Sequence, residues 1–336
     1  MRHVFLIHSP ITDLAARRVL GHLGVPVEEA IVLASRGYEP RAADWTVVPV
    51  EYSHDPESFP AGRIPLGAWS RLRRFDRRIA RIVDGSRFHA YLPQTSQRFM
   101  RFLATHRLCE GFSLFEEGLA SYRTLEAMND ASPVPPLRRR ERRAYGRRLG
   151  MPLFFDPAYE CAYGLQDASF PGFERRCVVG PTSGEPASDA PPGVECVLVG
   201  CGLAAHGMID VDADLAGIEA AVRALEGRSL ARVHYKLHPA VLRSDLTDRY
   251  RSVLERACAA SGREATELGP NVLLEALAYE SPRTLFLVSL SSVALYAGAA
   301  GAEVLCYSGA VARHDPRIVP HLEALPAAFE EAVTLL

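Results

Sequence analysis

A chain of 336 residues, 48% of them apolar, is long enough for two ordinary cores. Its net charge of -2 excludes bulk nucleic-acid binding as the main function. Seven cysteines (Cys109, Cys161, Cys177, Cys196, Cys201, Cys258 and Cys306) contain no C-x-x-C pair. Their odd number, and the apolar setting of Cys196, Cys201 and Cys306, fit buried thiols in a reducing cytoplasm better than a disulfide framework.

The opening residues, Met1–Pro10, are too short and polar for a signal peptide, and Val4–Ile7 predicts a first strand. Thr12–Leu23 predicts a helix with Thr12 as its cap. Ala30–Leu33 and Thr46–Val50 predict further strands. Trp69–Val83 has the apolar spacing of a basic amphipathic helix carrying Arg71, Arg73, Arg74, Arg77, Arg78 and Arg81. Phe88–Leu92 and Phe112–Phe115 are short strands flanking another helix. Pro133–Gly150 holds Arg138–Arg140, Arg142, Arg143, Arg147 and Arg148, and Thr182–Gly193 has the composition of a linker. A second alternating block runs through strands at Cys196–Val199, Arg232–Lys236, Thr284–Val288 and Glu303–Cys306. No run reaches the roughly 18 apolar residues of a spanning helix. Interleaved strands and helices predict parallel, doubly wound sheets: two Rossmann-like α/β domains about a cleft.

Three motifs follow predicted buried strands: Phe115-Glu116-Glu117-Gly118, Lys236-Leu237-His238-Pro239 and Ser289-Leu290-Ser291-Ser292. The carboxyl ends of parallel strands are where ligands bind in open α/β sheets. A carboxylate there accepts a proton, and neighbouring strand residues face opposite ways, so only one of Glu116 and Glu117 faces the cleft. Gly118 permits a turn. Pro239 keeps His238 out of a helix interior, and a cationic His238 beside Lys236 suits a phosphate. Ser291 and Ser292 open a helix, where hydroxyls and N–H groups either cap it or bind a phosphate. Gly269-Pro270 forms a turn before a short helix over Val272–Ala278. Glu275 on that helix can bind a ribose diol or be an ordinary surface residue.

Carboxylate-carboxylate-Gly, His-Pro, Gly-Pro with a following Glu, and Ser-Ser, in that order, resemble the bacterial sialyltransferases of the GT-B type, including the polysialyltransferases. The resemblance spans the His8-Ser9-Pro10 loop to Glu303 and rests on short motifs. It implies a GT-B fold, with an acceptor and catalytic-base domain at 1–185 and a CMP-donor-binding domain at 186–320. A C-terminal helix at 321–336 packs back on the first domain in such folds. It implies inverting transfer of a CMP-activated sialic or other nonulosonic acid to a glycan or glycolipid acceptor, in capsule or lipooligosaccharide synthesis. Glu116 would be the general base and His238 would assist CMP departure. Lys236, Pro239, Gly269, Pro270, Glu275, Ser291 and Ser292 would form the donor site, with Ser9, Glu117 and Gly118 in support. No cofactor and no metal are expected.

Other readings stand beside this one. Asp210, Asp212 and Asp214 alternate as in metal-binding Asp-x-Asp transferases, but acids at the start of the helical pattern Leu215–Leu225 account for them. No His/Cys cluster has zinc spacing. The arginine-rich segments are either solvated faces or binding surfaces for an anionic acceptor or the inner membrane face. A GT-B transferase for another nucleotide sugar, or an inactive glycan-binding relative, remain alternatives. A serine hydrolase lacks its G-x-S-x-G elbow.

Overall fold

Apolar strand segments alternating with amphipathic helices build two parallel sheets, one in each of two units, Met1–Ser183 and Gly184–Leu336. The computed structural model describes residues 1–41, 44–50, 68–131, 148, 153–180 and 190–336. The first sheet contains β1 (Arg2–Ile7), β2 (Ala30–Ala34), β3 (Thr46–Pro49), β4 (Phe88–Leu92), β5 (Cys109–Phe115), β6 (Ala162–Gly164) and β7 (Arg176–Val178). Its order is β3-β2-β1-β4-β5-β6-β7, every pair parallel. The second contains β8 (Cys196–Val199), β9 (Arg232–Lys236), β10 (Glu264–Glu267), β11 (Leu285–Val288), β12 (Val304–Cys306) and β13 (Thr334–Leu335), ordered β10-β9-β8-β11-β12-β13 and also all parallel. Strand order reverses between β1 and β4 in one sheet and between β8 and β11 in the other. Those switch points open a crevice at the carboxyl edge of each sheet.

The central strands β8 and β11 are apolar along their whole length and β1 is so from Val4 onward, as in sheets covered on both faces. Leu6, Leu33, Leu92 and Leu114 meet Leu72, Phe75 and Ile79 of the helix Ala68–Ile82 in one core. Leu198, Val233 and Leu287 meet Ile218, Val222 and Leu254 in the other. The first helix starts at Pro10, two residues before the expected cap. Ser9 is its N-cap, and Thr12 sits at the third helical position, where its hydroxyl accepts the Ser9 N–H at 3.0 Å. The arginines of Ala68–Ile82 are exposed at Arg73, Arg74, Arg77, Arg78 and Arg81; the Arg71 side chain lies outside the described residues. So does the arginine-rich segment except Arg148, which binds the Asp76 carboxylate at 2.6 and 2.7 Å. No helix among the described residues is long and apolar enough to cross a membrane.

The end of the chain corrects an expectation. In place of one helix turning back to the first domain there are two short helices, Val319–Glu323 and Ala327–Ala332, then β13. Pro326 ends the helical run by lacking an N–H. Strand β13 pairs with β12, and Gly298 allows the close approach of Ala332, so this segment belongs to the second unit.

Candidate functional site

In the first unit, β5 delivers Glu116 and Glu117 to the carboxyl edge, and the pleat sends them opposite ways. Glu116 goes inward and is fully buried. Its Oε1 accepts the Tyr122 hydroxyl at 2.6 Å, and its Oε2 accepts the Leu165 N–H and the Ser169 hydroxyl, each at 2.7 Å. A carboxylate so occupied ties β5 to the loop after β6. This corrects the expectation that Glu116 meets an acceptor hydroxyl.

Glu117 turns the other way. Its Oε2 lies 3.8 Å from Nε2 of His8, the residue that follows β1. Both side chains are nearly enclosed, at 11% and 6% exposure. Burial drives the Glu117 carboxyl up to about 7, with Arg36 pulling the other way. Burial, aided by Arg36, drives the His8 imidazole down to about 3. Arg36 itself is exposed just past β2 and holds a left-handed φ of 57°, uncommon for a residue with a side chain. Gly118 has φ 127° and ψ -148°, a region open essentially to glycine alone, and the Ser121 hydroxyl accepts the Glu117 N–H at 3.1 Å. Ser9 is spent on its helix cap.

In the second unit, β9-β8-β11 are adjacent and each ends in a candidate loop. His238 caps the short helix Pro239–Leu242, its Nδ1 accepting the Ala240 N–H at 3.1 Å. The ring proton is thereby placed on Nε2. Burial lowers this imidazole to about 4, with His206 and Arg243 adding to the shift, which disfavours the cationic form expected for His238. The ring lies against the loop after β8. A Cβ on Gly202 would sit 2.5 Å from its Nδ1, and one on Gly200 would sit 3.2 Å from the His238 backbone nitrogen. Gly202→Ala is therefore expected to push the ring off the Ala240 N–H. The cost of losing such a cap is about 1 kcal/mol, read as a lower urea midpoint.

Lys236 does not point to a free phosphate position. Its Nζ donates to the Pro270 carbonyl at 3.0 Å and also to the Val272 carbonyl, so it clamps the Gly269-Pro270 turn to β9. Glu275 is buried on the helix Leu274–Glu280. Gly269 and Pro239 are exposed. Ser292 stands at the N-cap position of the helix Val293–Ala299 without a side-chain cap bond, and the Ser291 hydroxyl accepts the Val293 N–H at 3.3 Å. Ser289 is buried against the Ser308 hydroxyl at 2.9 Å.

The alternating acids have separate duties. Asp210 caps its helix through the Asp212 N–H, Asp212 pairs with Arg249, and buried Asp214 accepts the Tyr250 hydroxyl. Among the described residues no group of three His, Cys, Asp or Glu side chains is placed to hold a metal. The strand-end rule that finds Glu117 and His238 also applies to His8 after β1 and to Gly200 and Gly202 after β8, which the motif reading passes over. Arg36 carries no comparable sequence signal.

No protein-family model matches the chain, and no curated protein matches its sequence. Solved structures do match. The Methanocaldococcus jannaschii UDP-GlcNAc 2-epimerase, solved with UDP-GlcNAc and UDP, aligns over 100% of this chain and 89% of its own. The TM-score is 0.50 at 10% identity. Acinetobacter baumannii MurG aligns over 100% of this chain and 85% of its own, with TM-score 0.43 and 10% identity. The spinosyn rhamnosyltransferase SpnG, solved with thymidine diphosphate, aligns over 99% and 89%, with TM-score 0.45 and 15% identity. The likeness to the epimerase shows the fold: two Rossmann-like α/β units of the GT-B class.

Proposed function

We propose that the chain is an inverting glycosyltransferase that moves sialic acid, or a related nonulosonic acid, from its CMP-activated form to a glycan hydroxyl. The observation that carries this reading is positional. Glu117, His238 and the Ser291-Ser292 pair each lie just past a parallel strand, β5, β9 or β11, at the edge where such sheets bind ligands. Their order along the chain is the order of the sialyltransferase motifs.

On this reading Glu117, rather than Glu116, takes the proton of the acceptor hydroxyl. A carboxyl near pH 7 is well matched to that task. The acceptor oxygen then forms a bond to the anomeric carbon. The bond from that carbon to the phosphate oxygen breaks, and CMP departs with the electron pair. His238 gives the phosphate a neutral Nε2–H donor instead of a cation. The hydroxyls of Ser291 and Ser292 add further donors, and all of these bonds strengthen as charge gathers on the departing phosphate. No step requires a metal. The acceptor's membership of a capsule or lipooligosaccharide belongs to the same proposal.

The test is nucleotide release. Purified protein is incubated with CMP-sialic acid or with UDP-GlcNAc, each with and without a panel of glycan acceptors. Acceptor-dependent release of CMP, undiminished by EDTA, is the expected result. Release of UDP alone would favour the second reading, a transferase for a UDP sugar; the UDP-GlcNAc held by the structurally similar epimerase motivates that arm.

A further inference from the structure

Strand β1 hands the chain to a helix at Pro10, and the one residue between Ile7 and the cap Ser9 is His8. The backbone N–H of His8 is held by the Thr12 hydroxyl at 3.0 Å, which fixes where the side chain leaves the sheet. The imidazole enters a nearly closed space beside Glu117, with Nε2 3.8 Å from the carboxylate oxygen. Its Nδ1 is buried with no hydrogen-bond partner. An unfilled lone pair costs less than an orphaned N–H, so the favoured tautomer keeps its proton on Nε2, facing Glu117. The separation is too long for a hydrogen bond, and a shift of about 1 Å closes it. Arg36, at the end of β2, is the charged group acting on both residues.

We propose that His8 is the positioning residue of the base, its Nε2–H turning onto the Glu117 carboxylate and holding it ionised and aimed when an acceptor hydroxyl arrives. The inference rests on the glycosyl-transfer reading for its purpose, but its geometry can be judged without turnover. When Glu117 takes the acceptor proton, a new O–H bond replaces the acceptor's own. The His8 N–H keeps its proton, and release of product returns the transferred proton to water. A donor beside a buried carboxylate favours the charged form, which is why a neutral histidine serves here.

The experiment titrates the full chain by carbon-detected NMR with labelled glutamate and histidine, the Glu117 signal being assigned by its loss in Glu117→Gln. His8→Leu keeps the bulk and removes the donor, so the Glu117 midpoint should rise by about one pH unit. His8→Gln restores an N–H and should bring the midpoint back to within a few tenths of wild type. In the unmodified protein the His8 ring carbons should stay those of a neutral imidazole yet inflect at the Glu117 midpoint. With CMP-sialic acid, the acidic limb of the transfer rate should move with the midpoint in His8→Leu and return in His8→Gln. An unmoved Glu117 midpoint in folded His8→Leu overturns the proposal. Should that variant not fold, the absence of a His8 inflection in the unmodified protein overturns it equally. Absence of transfer from any nucleotide sugar would instead count against the proposed function, and the titrations would still judge the pair.

Discussion

Glu117→Gln is expected to lower acceptor-dependent transfer by about two to four orders of magnitude, the span of losing a general base, with CMP affinity unchanged. The amide has the size of the carboxylate and cannot take a proton. The same substitution should stabilise the fold. Burial holds the Glu117 pKa near 7 against an ordinary 4.5. Between those two values the native protein binds more protons than the unfolded chain, so unfolding free energy falls as pH rises. Below about 4.5 the group contributes no penalty; above about 7 the full penalty is present. Glutamine lacks it, so the variant should gain stability over wild type across that window, to about 3 kcal/mol at pH 8. Transfer kinetics and urea unfolding at pH 5 and pH 8 check both halves. Wild-type transfer in the folded variant would remove Glu117 from the role. A pH-independent stability difference would mean that the carboxyl is not held up by its surroundings.

The cores and most of their strands are legible in the sequence because β2, β8 and β11 are unbroken apolar runs and β1 and β4 are mostly apolar. The strands that were not legible are short or polar. Glu264-Ala265-Thr266-Glu267 forms β10 at the edge of its sheet, where one side meets no partner strand and an acid at each end is tolerated. Residues Thr334–Leu335 form β13 only because β12 is there to receive them. The site followed the same division. That Glu117, His238 and Ser291-Ser292 stand just past β5, β9 and β11 can be read from order and apolarity. Which of two adjacent glutamates faces inward cannot, because the choice is made by Tyr122, Leu165 and Ser169, the last two distant in sequence. The burial of His238 is hidden for a similar reason: a glycine 36 positions earlier, Gly202, leaves the space that its ring occupies. Lys236 looks like a phosphate ligand until the carbonyls of Pro270 and Val272 are seen to occupy it.

Glu116 is where these two ways of reading the Glu-Glu pair give opposite results. As a base it would tolerate substitution structurally and lose turnover. As the buried carboxylate that gathers three donors, it should do the reverse. Glu116→Leu removes the acceptor of the Leu165 N–H and the carboxylate bonds of the Tyr122 and Ser169 hydroxyls, which keep only their contacts with Gln166 at 3.1 Å each. Stranded buried donors cost about 1–3 kcal/mol each, and breaking one charged centre costs about 3–5 kcal/mol in all, since the two hydroxyls can rotate toward other partners. Glu116→Gln keeps one oxygen. With that oxygen facing the Leu165 N–H, the amide N–H2 can donate to the Tyr122 hydroxyl, so its cost should be nearer 1–2 kcal/mol. Urea unfolding should therefore rank wild type above Glu116→Gln above Glu116→Leu. Transfer per folded molecule should stay within about threefold of wild type in Glu116→Gln, because a positioned base loses two orders of magnitude or more and a buried anchor does not. A hundredfold loss of transfer in a Glu116→Gln protein of unchanged stability would return the base to Glu116 and leave Glu117 as the residue that serves the fold.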